Sequence, residues 1–508
     1  MRLLWSAAIS ALSAGLLLSS LSCGGSSASS EPTPLPPIPP TPPAGITQLS
    51  SDTFTNPESQ HATEVEPGMA SFGSTLVAAF QVGRIFGGGS SDIGFATSTN
   101  AGANWSSGLL PGLTKFQGSG PYNAASDPSV AFDQAHGVWM IASLAIATGS
   151  DIVVVSRSAD ARTWGNPISV SSTPDADKQW ITCDNNSSSP FFGHCYIEWD
   201  DPSKPANGLI WMSTSADGGQ TWSAAINTAD SAAGVGGQPI VGANGLVVVP
   251  IENADGTQML AFTSSDGGAT WSSTVMISTI TDHIVAGNLR TSSLPSAAVD
   301  ASGRVYVVWQ DCRFRMNCAS NDIVISTSSD GSNWTAPAGI PIDAVSSTVD
   351  HFIPALAVDP ATSGGSAHLA LTYNFYPQTA CTSATCQLEV GSVSSSDGGN
   401  TWSAPTTLAG PMQLAWLPNT SSGLMVGDYM ATAYSNGRAY GVFAVAQAPN
   451  SGSAFNEAIF ATTNPIPQTK QSQRMAIRAD AAVTRRSDHP PRKFFDLDHE
   501  HPIPQRKK

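Results

Sequence analysis

Apolar and polar residues alternate in short runs from about residue 46 to about residue 465. Residues 304–309 and 322–327 are typical, and Gly, Pro or Asn bounds most of the runs. This period of two predicts β-strands, whereas the 3.6-residue period of an amphipathic helix does not occur in the region. A recurring order of an acid-Pro opening strand, a β-branched strand and two further strands indicates antiparallel units of four strands.

A short turn, the Asp-box, is repeated six times and closes most of these units. Its first residue is Ser, its third Asp or Asn, and its last Trp; the copies span residues 98–105, 158–164, 215–222, 264–271, 328–334 and 395–402. The acid is expected to accept hydrogen bonds within its own turn, and Gly supplies the positive φ that the turn needs. We therefore interpret the box acids as structural. Successive box tryptophans lie 59, 58, 49, 63 and 68 residues apart, which is typical of a propeller or a repeat array.

Opening strands indicate seven units, of which the last has three strands and no box. The units begin near Glu66, Asp127, Asp177, Gln238, Leu294, Ile353 and Gly427. Residues 47–50 could supply the missing outer strand and close the ring, which would remove its exposed edges. The predicted fold is all-β, a single β-propeller of four-stranded antiparallel blades. Seven blades are favoured, and six is the alternative if the first and last units are halves of one blade.

The two ends of the chain differ in composition from the repeats. Residues 1–23 are typical of a secretory signal, and Cys23 followed by Gly24 fits a bacterial lipoprotein site, with plain secretion as the alternative. Residues 24–45 are rich in Ser and Pro and predict an extended linker. Residues 466–508 predict a disordered basic tail. The expected propeller domain is therefore 46–465, lipid-anchored at the bacterial envelope or secreted.

Six cysteines remain after Cys23, and they form three local pairs. The pairs are Cys183 with Cys195, Cys312 with Cys318, and Cys381 with Cys386. Zinc is the competing interpretation, but the spacing is wrong and no His lies in the right pattern. Disulfides in an oxidising compartment are predicted.

Charge limits the choice of partners. Residues 46–465 contain 11 Lys and Arg against 32 Asp and Glu, a net charge of −21. Nucleic acid is therefore excluded as a partner. No cofactor is expected; the acidic residues could hold calcium, although no EF-hand spacing is present.

Propeller geometry brings the starts of first strands and the ends of second strands together around the central channel. The polar residues at these points are Glu66, Arg84, Asp127, Asp177, Lys178, Trp180, Trp199, Asp200, Glu252, His283, Arg290, Trp309, Gln310, Asp311, Arg313, His351, Asn374, Tyr376, Asp428 and Tyr429. Three of the few basic residues, Arg84, Arg290 and Arg313, would form an acid-sugar pocket if they converge. The alternative is that each pairs with a nearby acid, as Arg313 could with Asp311.

Two aromatic residues also have two interpretations each. Tyr429 could be a nucleophile helped by Glu252, or a ring packed at the channel mouth. Trp180 could stack on a sugar or fill the gap between blades. Asp311 and His351 are further predicted substrate-binding residues.

The six boxes resemble those of the sialidase superfamily, in particular the secreted bacterial proteins described as exo-α-sialidase-like or BNR-repeat proteins. Trp309-Gln310-Asp311-Cys312-Arg313 and Asp350-His351-Phe352-Ile353-Pro354 strengthen the resemblance. It implies an arginine triad for a substrate carboxylate, a Tyr–Glu nucleophile pair and an Asp acid/base. By position it implies Arg313 in the triad, Asp92 as acid/base and Tyr429 as nucleophile. The family's Arg-Ile-Pro motif is replaced here by Glu66-Pro67-Gly68-Met69.

The leading hypothesis is a sialidase-like exo-glycosidase acting on extracellular glycans, possibly an exo-α-sialidase. Asp92, Tyr429 and Glu252 would be catalytic, and the three arginines would bind an anionic group. The rival hypothesis is a non-catalytic cell-surface propeller that binds glycan or protein through the same residues.

Overall fold

The computed structural model describes residues 45–171, 175–203, 207–378 and 381–468, together with the backbone of 473–474. The predicted signal peptide, Cys23, nearly all of the linker and most of the tail lie outside these residues. Within them, no helix is long and apolar enough to span a bilayer.

The first part of the ring combines long strands, most of them largely buried, with short and partly exposed strands. These strands are β1 (Ile46–Gln48), β2 (Glu64–Phe72), β3 (Thr75–Arg84), β4 (Ser90–Ser98), β5 (Ser106–Leu109), β6 (Ala124–Asp133), β7 (Val138–Ala147), β8 (Ser150–Ser158) and β9 (Ile168–Ser171).

Shorter strands form the middle of the chain. They are β10 (Asp177–Cys183), β11 (Cys195–Asp201), β12 (Leu209–Ser215), β13 (Gly234–Val235), β14 (Ile240–Val241), β15 (Val247–Asn253), β16 (Gln258–Ser264), β17 (Val275–Thr279), β18 (Ser296–Val299), β19 (Val305–Asp311), β20 (Asp322–Ser328) and β21 (Ala338–Gly339).

The last part contains both long strands and strands of two residues. They are β22 (Asp350–Val358), β23 (Leu369–Tyr376), β24 (Gln387–Ser395), β25 (Thr401–Trp402), β26 (Thr406–Gln413), β27 (Asn419–Thr420), β28 (Gly423–Leu424), β29 (Ala431–Ser435), β30 (Arg438–Ala446), β31 (Glu457–Thr462) and β32 (Gln473–Arg474). Single 3₁₀ turns occur at Ala243–Gly245, Ala286–Asn288, Met316–Cys318, Gly364–Ser366 and Leu414–Trp416.

The sheets are antiparallel, and their innermost strands contact one another in a closed order. That order is β2, β6, β10, β14, β18, β22, β29 and back to β2. Large side chains such as Trp199, Trp309 and Trp402 are fully buried. The predicted all-β, propeller-like fold is confirmed.

The predicted blade count does not match the sheets. Five sheets in the described part of the chain have four or more strands, rather than seven or six separate four-stranded blades. One reason is a bridge between Ser90 and Ala125, which merges β2–β5 and β6–β9 into a single eight-stranded sheet. Another is that β10–β12 form only three strands, because the segment after their box meets β12 at the isolated bridges Met212–Ile226 and Leu209–Ala233.

The N-terminal strand completes the last sheet. β1 pairs antiparallel with β31, with Thr47 opposite Ala461, to give the order β1-β31-β30-β29. Ile46 and Leu49 are buried at this junction. The start and the end of the repeat region are therefore joined within one sheet, as predicted.

The Asp-boxes use their acids inside the turn, as the sequence predicts. In the third box, Asp217 accepts hydrogen bonds from Ser215 Oγ at 2.9 Å and from the Thr221 backbone N–H at 2.9 Å. Partial burial opposes ionisation, but the hydrogen bonds from Thr221 and Ser215 lower the pKa of Asp217 to about 2. Gly218 and Gly219 have φ of 72° and 75°. Asn100 takes the same role in the first box, with the Asn104 N–H at 2.9 Å.

All three predicted disulfides are present: Cys183–Cys195, Cys312–Cys318 and Cys381–Cys386. The first joins neighbouring strands β10 and β11, and the others close short loops. Disulfides of this kind indicate an oxidising, extracytoplasmic compartment.

The chain remains packed beyond residue 465. Ile466 is buried and bridges Ala439, and Gln468 donates a hydrogen bond to Tyr434 Oη at 3.0 Å. The backbone of β32 pairs with β25. In the part of the chain that the structure describes, packing therefore continues to residue 468.

Candidate functional site

Four innermost strands carry the same bulge near their starts. Glu66, Asp127, Lys178 and Ile353 have φ of 55°, 46°, 49° and 50°, and the strand register shifts at each position. Left-handed backbone at a non-Gly residue costs about 1–3 kcal/mol, and such strain is concentrated at functional sites. The bulges redirect three charged side chains into one place.

We call that place the hub cluster. It consists of Glu66, Asp127, Lys178, Arg290, Asp428 and Tyr429, drawn from strands β2, β6 and β10 and from the loops before β18 and β29. All six side chains are buried. Of the three arginines predicted to converge, Arg290 is in this cluster.

Asp428 lies between two cations. Arg290 donates to Asp428 through Nε at 2.8 Å and through Nη2, and Lys178 Nζ is 2.8 Å from the same carboxylate. Lys178 Nζ also lies 3.6 Å from Asp127. Burial opposes the charge on Asp428, but Arg290 and Lys178 outweigh it and hold its pKa far below the usual range.

The pKa of Glu66 is shifted in the opposite direction to that of Asp428. Its carboxyl accepts hydrogen bonds from the Gln81 amide and from the Asp428 backbone N–H, the latter at 3.2 Å. Burial, and then the charge of Asp127, raises the pKa of Glu66 well above its usual range. Two of the three carboxyls in the hub cluster, Glu66 and Asp428, are therefore displaced in opposite directions, so that Glu66 favours its protonated form and Asp428 its ionised form. Pairs of carboxyls with divergent pKa values are typical of acid/base sites.

Tyr429 packs against Trp180 and is bonded to the backbone. Its hydroxyl donates to the Pro128 carbonyl at 3.2 Å, and the two rings meet edge to face at 5.2 Å. Burial raises the pKa of Tyr429 well above its usual range, and the charge of Asp127 adds to this. The phenol is therefore neutral at physiological pH.

A cavity opens beside the hub cluster. Its volume is about 20 Å³, and the open space around its mouth brings the total to about 450 Å³. Polar and aromatic side chains line it, among them Lys178, Gln179, Trp180, Gln238, Asp428 and Tyr429. An aromatic face with a few convergent polar groups is the composition of a small-molecule site.

Arg84 and Arg313 are engaged elsewhere. Arg84 is buried and donates to the carbonyls of Ile85 at 3.0 Å and Gly89 at 2.6 Å. Arg313 donates to the Asp311 carboxylate through Nε at 2.9 Å and through Nη2 at 2.6 Å. This is the local ion pair that the sequence analysis gave as the alternative to an acid-sugar pocket. Asp311 also accepts from the Trp309 indole at 3.2 Å. Each predicted arginine therefore has its own set of partners.

The other two predicted catalytic carboxyls lie on different strands from the hub cluster. Asp92 is on β4 opposite Val82, and Glu252 is on β15 opposite Val235. Both are buried. Burial raises the pKa of Asp92 well above its usual range. Whether either residue acts on a substrate stays a prediction.

His351 belongs to a separate cluster at the start of β22. Its Nε2 lies 4.0 Å from Asp343, and its ring stacks on Phe375. Burial lowers the pKa of His351 to about 4, so the ring is neutral. Asp322, Asp343 and His351 have ligand atoms within 4.8 Å of one another. However, Arg315 already pairs with both aspartates, so a guanidinium fills the place of a cation.

Sequence reasoning missed the amides that support the hub cluster. Gln81 bonds Glu66 and also Ser126 at 3.1 Å, and Gln179 bonds the Asp127 carbonyl. The sequence did contain a hint of these amides. Gln179 directly follows Lys178 at the start of one opening strand, and Gln238 stands before a Pro at the start of the next unit.

The fold, the repeated boxes and the polar centre define an Asp-box propeller-like protein. Residues 147–356 match a family model described as a BNR repeat-like domain. That stretch, less than half of the chain, is similar to the BNR repeat-like family.

Several solved structures resemble the chain at low identity. A Hadza microbial sialidase, Hz136, is 16% identical over 79% of this chain and 66% of its own, with a TM-score of 0.41. A Dyadobacter fermentans protein of unknown function is 15% identical over 69% of this chain and 99% of its own, with a TM-score of 0.44. Trypanosoma rangeli sialidase is 12% identical over 83% of this chain and 58% of its own, with a TM-score of 0.42. The matched region thus spans less than two thirds of the length of each of these two sialidases. No curated protein matches the sequence.

Proposed function

We propose that the protein is a glycoside hydrolase of the sialidase-like type that acts on extracellular glycans in the cavity beside the hub cluster. The observation that carries the proposal is the contact between Glu66 and the lining residue Asp428, whose backbone N–H donates to the Glu66 carboxyl at 3.2 Å. The pKa values of these two carboxyls are displaced in opposite directions, although Glu66 itself is not among the residues described as lining the cavity. Glu66 holds a proton that a glycosidic oxygen needs as it leaves. Trp180 offers its ring to a sugar face.

Among the residues that the sequence predicted, Tyr429 and Arg290 are best placed for this function. Tyr429 lines the cavity, and its neutral phenol would need a base before it could attack an anomeric carbon. The roles of Asp92 and Glu252 in catalysis, and of Arg84, Arg313, Asp311 and His351 in binding, stay predictions.

A second candidate is a glycan-binding propeller without catalysis. The pairing of Asp428 with Arg290 and Lys178 favours it, because an ion pair of this kind holds a site rigid without supplying a free nucleophile. The same cavity would then retain a sugar and release it unchanged.

Hydrolysis of a panel of fluorogenic glycosides by the full chain distinguishes the two candidates. A hydrolase should cleave at least one substrate, and Glu66→Gln should reduce kcat by about 100-fold or more. Tyr429→Phe is the second variant, and Glu389→Gln on β24 is the control that should keep full activity. Retention of glycans without any turnover would support the binding protein instead.

We also propose seven blades around the ring, since seven innermost strands contact in a closed order.

We further propose that Cys23 carries a lipid anchor, which would place the protein at the bacterial envelope. Mass spectrometry of the mature N-terminus tests the anchor.

A further inference from the structure

The cationic part of the cavity is already occupied by a side chain of this protein. Arg290 and Lys178 both hold the Asp428 carboxylate, and the side chains of Arg290, Lys178 and Asp428 are 7%, 4% and 2% exposed. Lys178 and Asp428 also line the cavity. The Lys178–Asp428 ion pair thus forms part of its wall, and Arg290 holds Asp428 from outside the described lining.

An acid sugar would compete for the same donors. A carboxylate is recognised best by the two parallel N–H groups of a guanidinium, and Asp428 uses this fork of Arg290. A ligand carboxylate could take the fork only by leaving Asp428 buried without it, which is strongly unfavourable. The net charge of −21 over residues 46–465 repels an anion as well.

The remaining lining suits an uncharged sugar. The Trp180 ring can cover the apolar face of a pyranose, and the amides of Gln179 and Gln238 offer donors and acceptors for hydroxyl groups. Apart from Lys178 and its partner Asp428, no charged side chain is among the residues described as lining this cavity.

We propose that Asp428 is a built-in carboxylate that fills the place of an acid sugar's carboxylate, so that the cavity accepts neutral sugars and rejects anionic ones. The choice of a sugar as ligand rests on the proposed function. The role of Asp428 as an internal anion rests on the ion pairs alone.

Chemical rescue tests the internal anion directly. Asp428→Ala removes the carboxylate and leaves a space beside Arg290 and Lys178 that acetate can fill. Sodium acetate should raise the Tm of Asp428→Ala saturably above its value in sodium chloride of equal ionic strength. Wild type should show no such difference. The double variant Asp428→Ala/Arg290→Ala is the matched control, and it should lose the rescue because the fork is gone.

Asp428→Asn covers the case in which the alanine variant does not fold, because it keeps the shape and removes the charge. Full-length Asp428→Asn should retain sialylated glycans at least about tenfold better than wild type does, a change of about 1.4 kcal/mol. Folded variants that show neither acetate rescue nor this gain would overturn the proposal.

Neutral and sialylated versions of the same glycans, offered to the wild-type chain, test the substrate class. Wild type should retain or cleave the neutral versions and ignore the sialylated ones. Preference for sialosides would overturn the role of Asp428 while leaving the glycan function intact. Failure to act on any glycan, combined with acetate rescue, would overturn the proposed function and keep the internal anion.

Discussion

The ring of Trp180 meets the ring of Tyr429 edge to face, with centroids 5.2 Å apart, at the wall of the cavity. Trp180 is half-buried, so one part of it is fixed by Tyr429 and another part faces the cavity. An aromatic platform held in this way stacks on a ligand at little cost in conformational entropy.

Trp180→Ala should therefore weaken glycan retention by about tenfold or more. The measurement is affinity chromatography of the full-length chain on immobilised glycans. Trp334→Phe is the control, because Trp334 serves an Asp-box and donates to the Gly331 carbonyl at 3.2 Å. Equal losses in both variants would show that Trp180 acts only through folding.

The buried carboxyl of Glu64 should make the free energy of unfolding depend on pH. Its carboxyl is buried where β2 meets the last sheet, accepts from Ser50 Oγ at 2.7 Å, and has its pKa raised by burial from 4.5 to about 8. Burial, and then Glu64, also raises the pKa of Glu457 well above its usual range. The folded state therefore binds more protons than the unfolded state above pH 4.5.

Stability should accordingly be fully present below about pH 4.5 and fall as the pH rises towards 8, by up to about 1.4 kcal/mol per pH unit for this one proton. Glu64→Gln keeps an acceptor for Ser50 and should flatten that slope. Urea unfolding at several pH values measures it, with Asp255→Asn, a substitution at an exposed turn, as control. Parallel slopes for wild type and Glu64→Gln would contradict the assignment.

The pairing of β1 with β31 predicts a large effect of a short deletion. A chain starting at Ser50 lacks the buried Ile46 and Leu49, and it should lose about 3–6 kcal/mol relative to one starting at Gly45. Thermal unfolding and limited proteolysis measure the loss. If the two truncated chains unfold at the same temperature, β1 does not hold the ring closed.

Each disulfide should stabilise the folded state by an amount that increases with the length of the loop that it closes. Cys183–Cys195 spans 12 residues and Cys381–Cys386 spans 5, so loop entropy predicts losses of about 3 and 2 kcal/mol when each pair is replaced by Ala. Denaturant unfolding of the two double variants provides the comparison. A greater loss from the shorter loop would mean that packing, not loop entropy, dominates.

Features that depend on residues close in the chain were predictable from the sequence. Ser215, Asp217 and Thr221 complete their turn within seven residues, so the box predicts its own hydrogen bonds. The cysteine pairs are equally local. Alternation of polar and apolar residues was enough to predict strands and a propeller-like ring, because period two is a property of each strand alone.

Tertiary structure decided what distant residues do together. Arg290 and Asp428 are 138 residues apart, and no local pattern shows that this arginine meets an acid of its own chain rather than a ligand. The merged sheet depends on one bridge between Ser90 and Ala125. The sequence alone determines the charges and the turns. The partner of each buried charge depends on which strands have their starts brought together by the closed ring. Burial at those contacts then determines the direction in which each pKa is shifted.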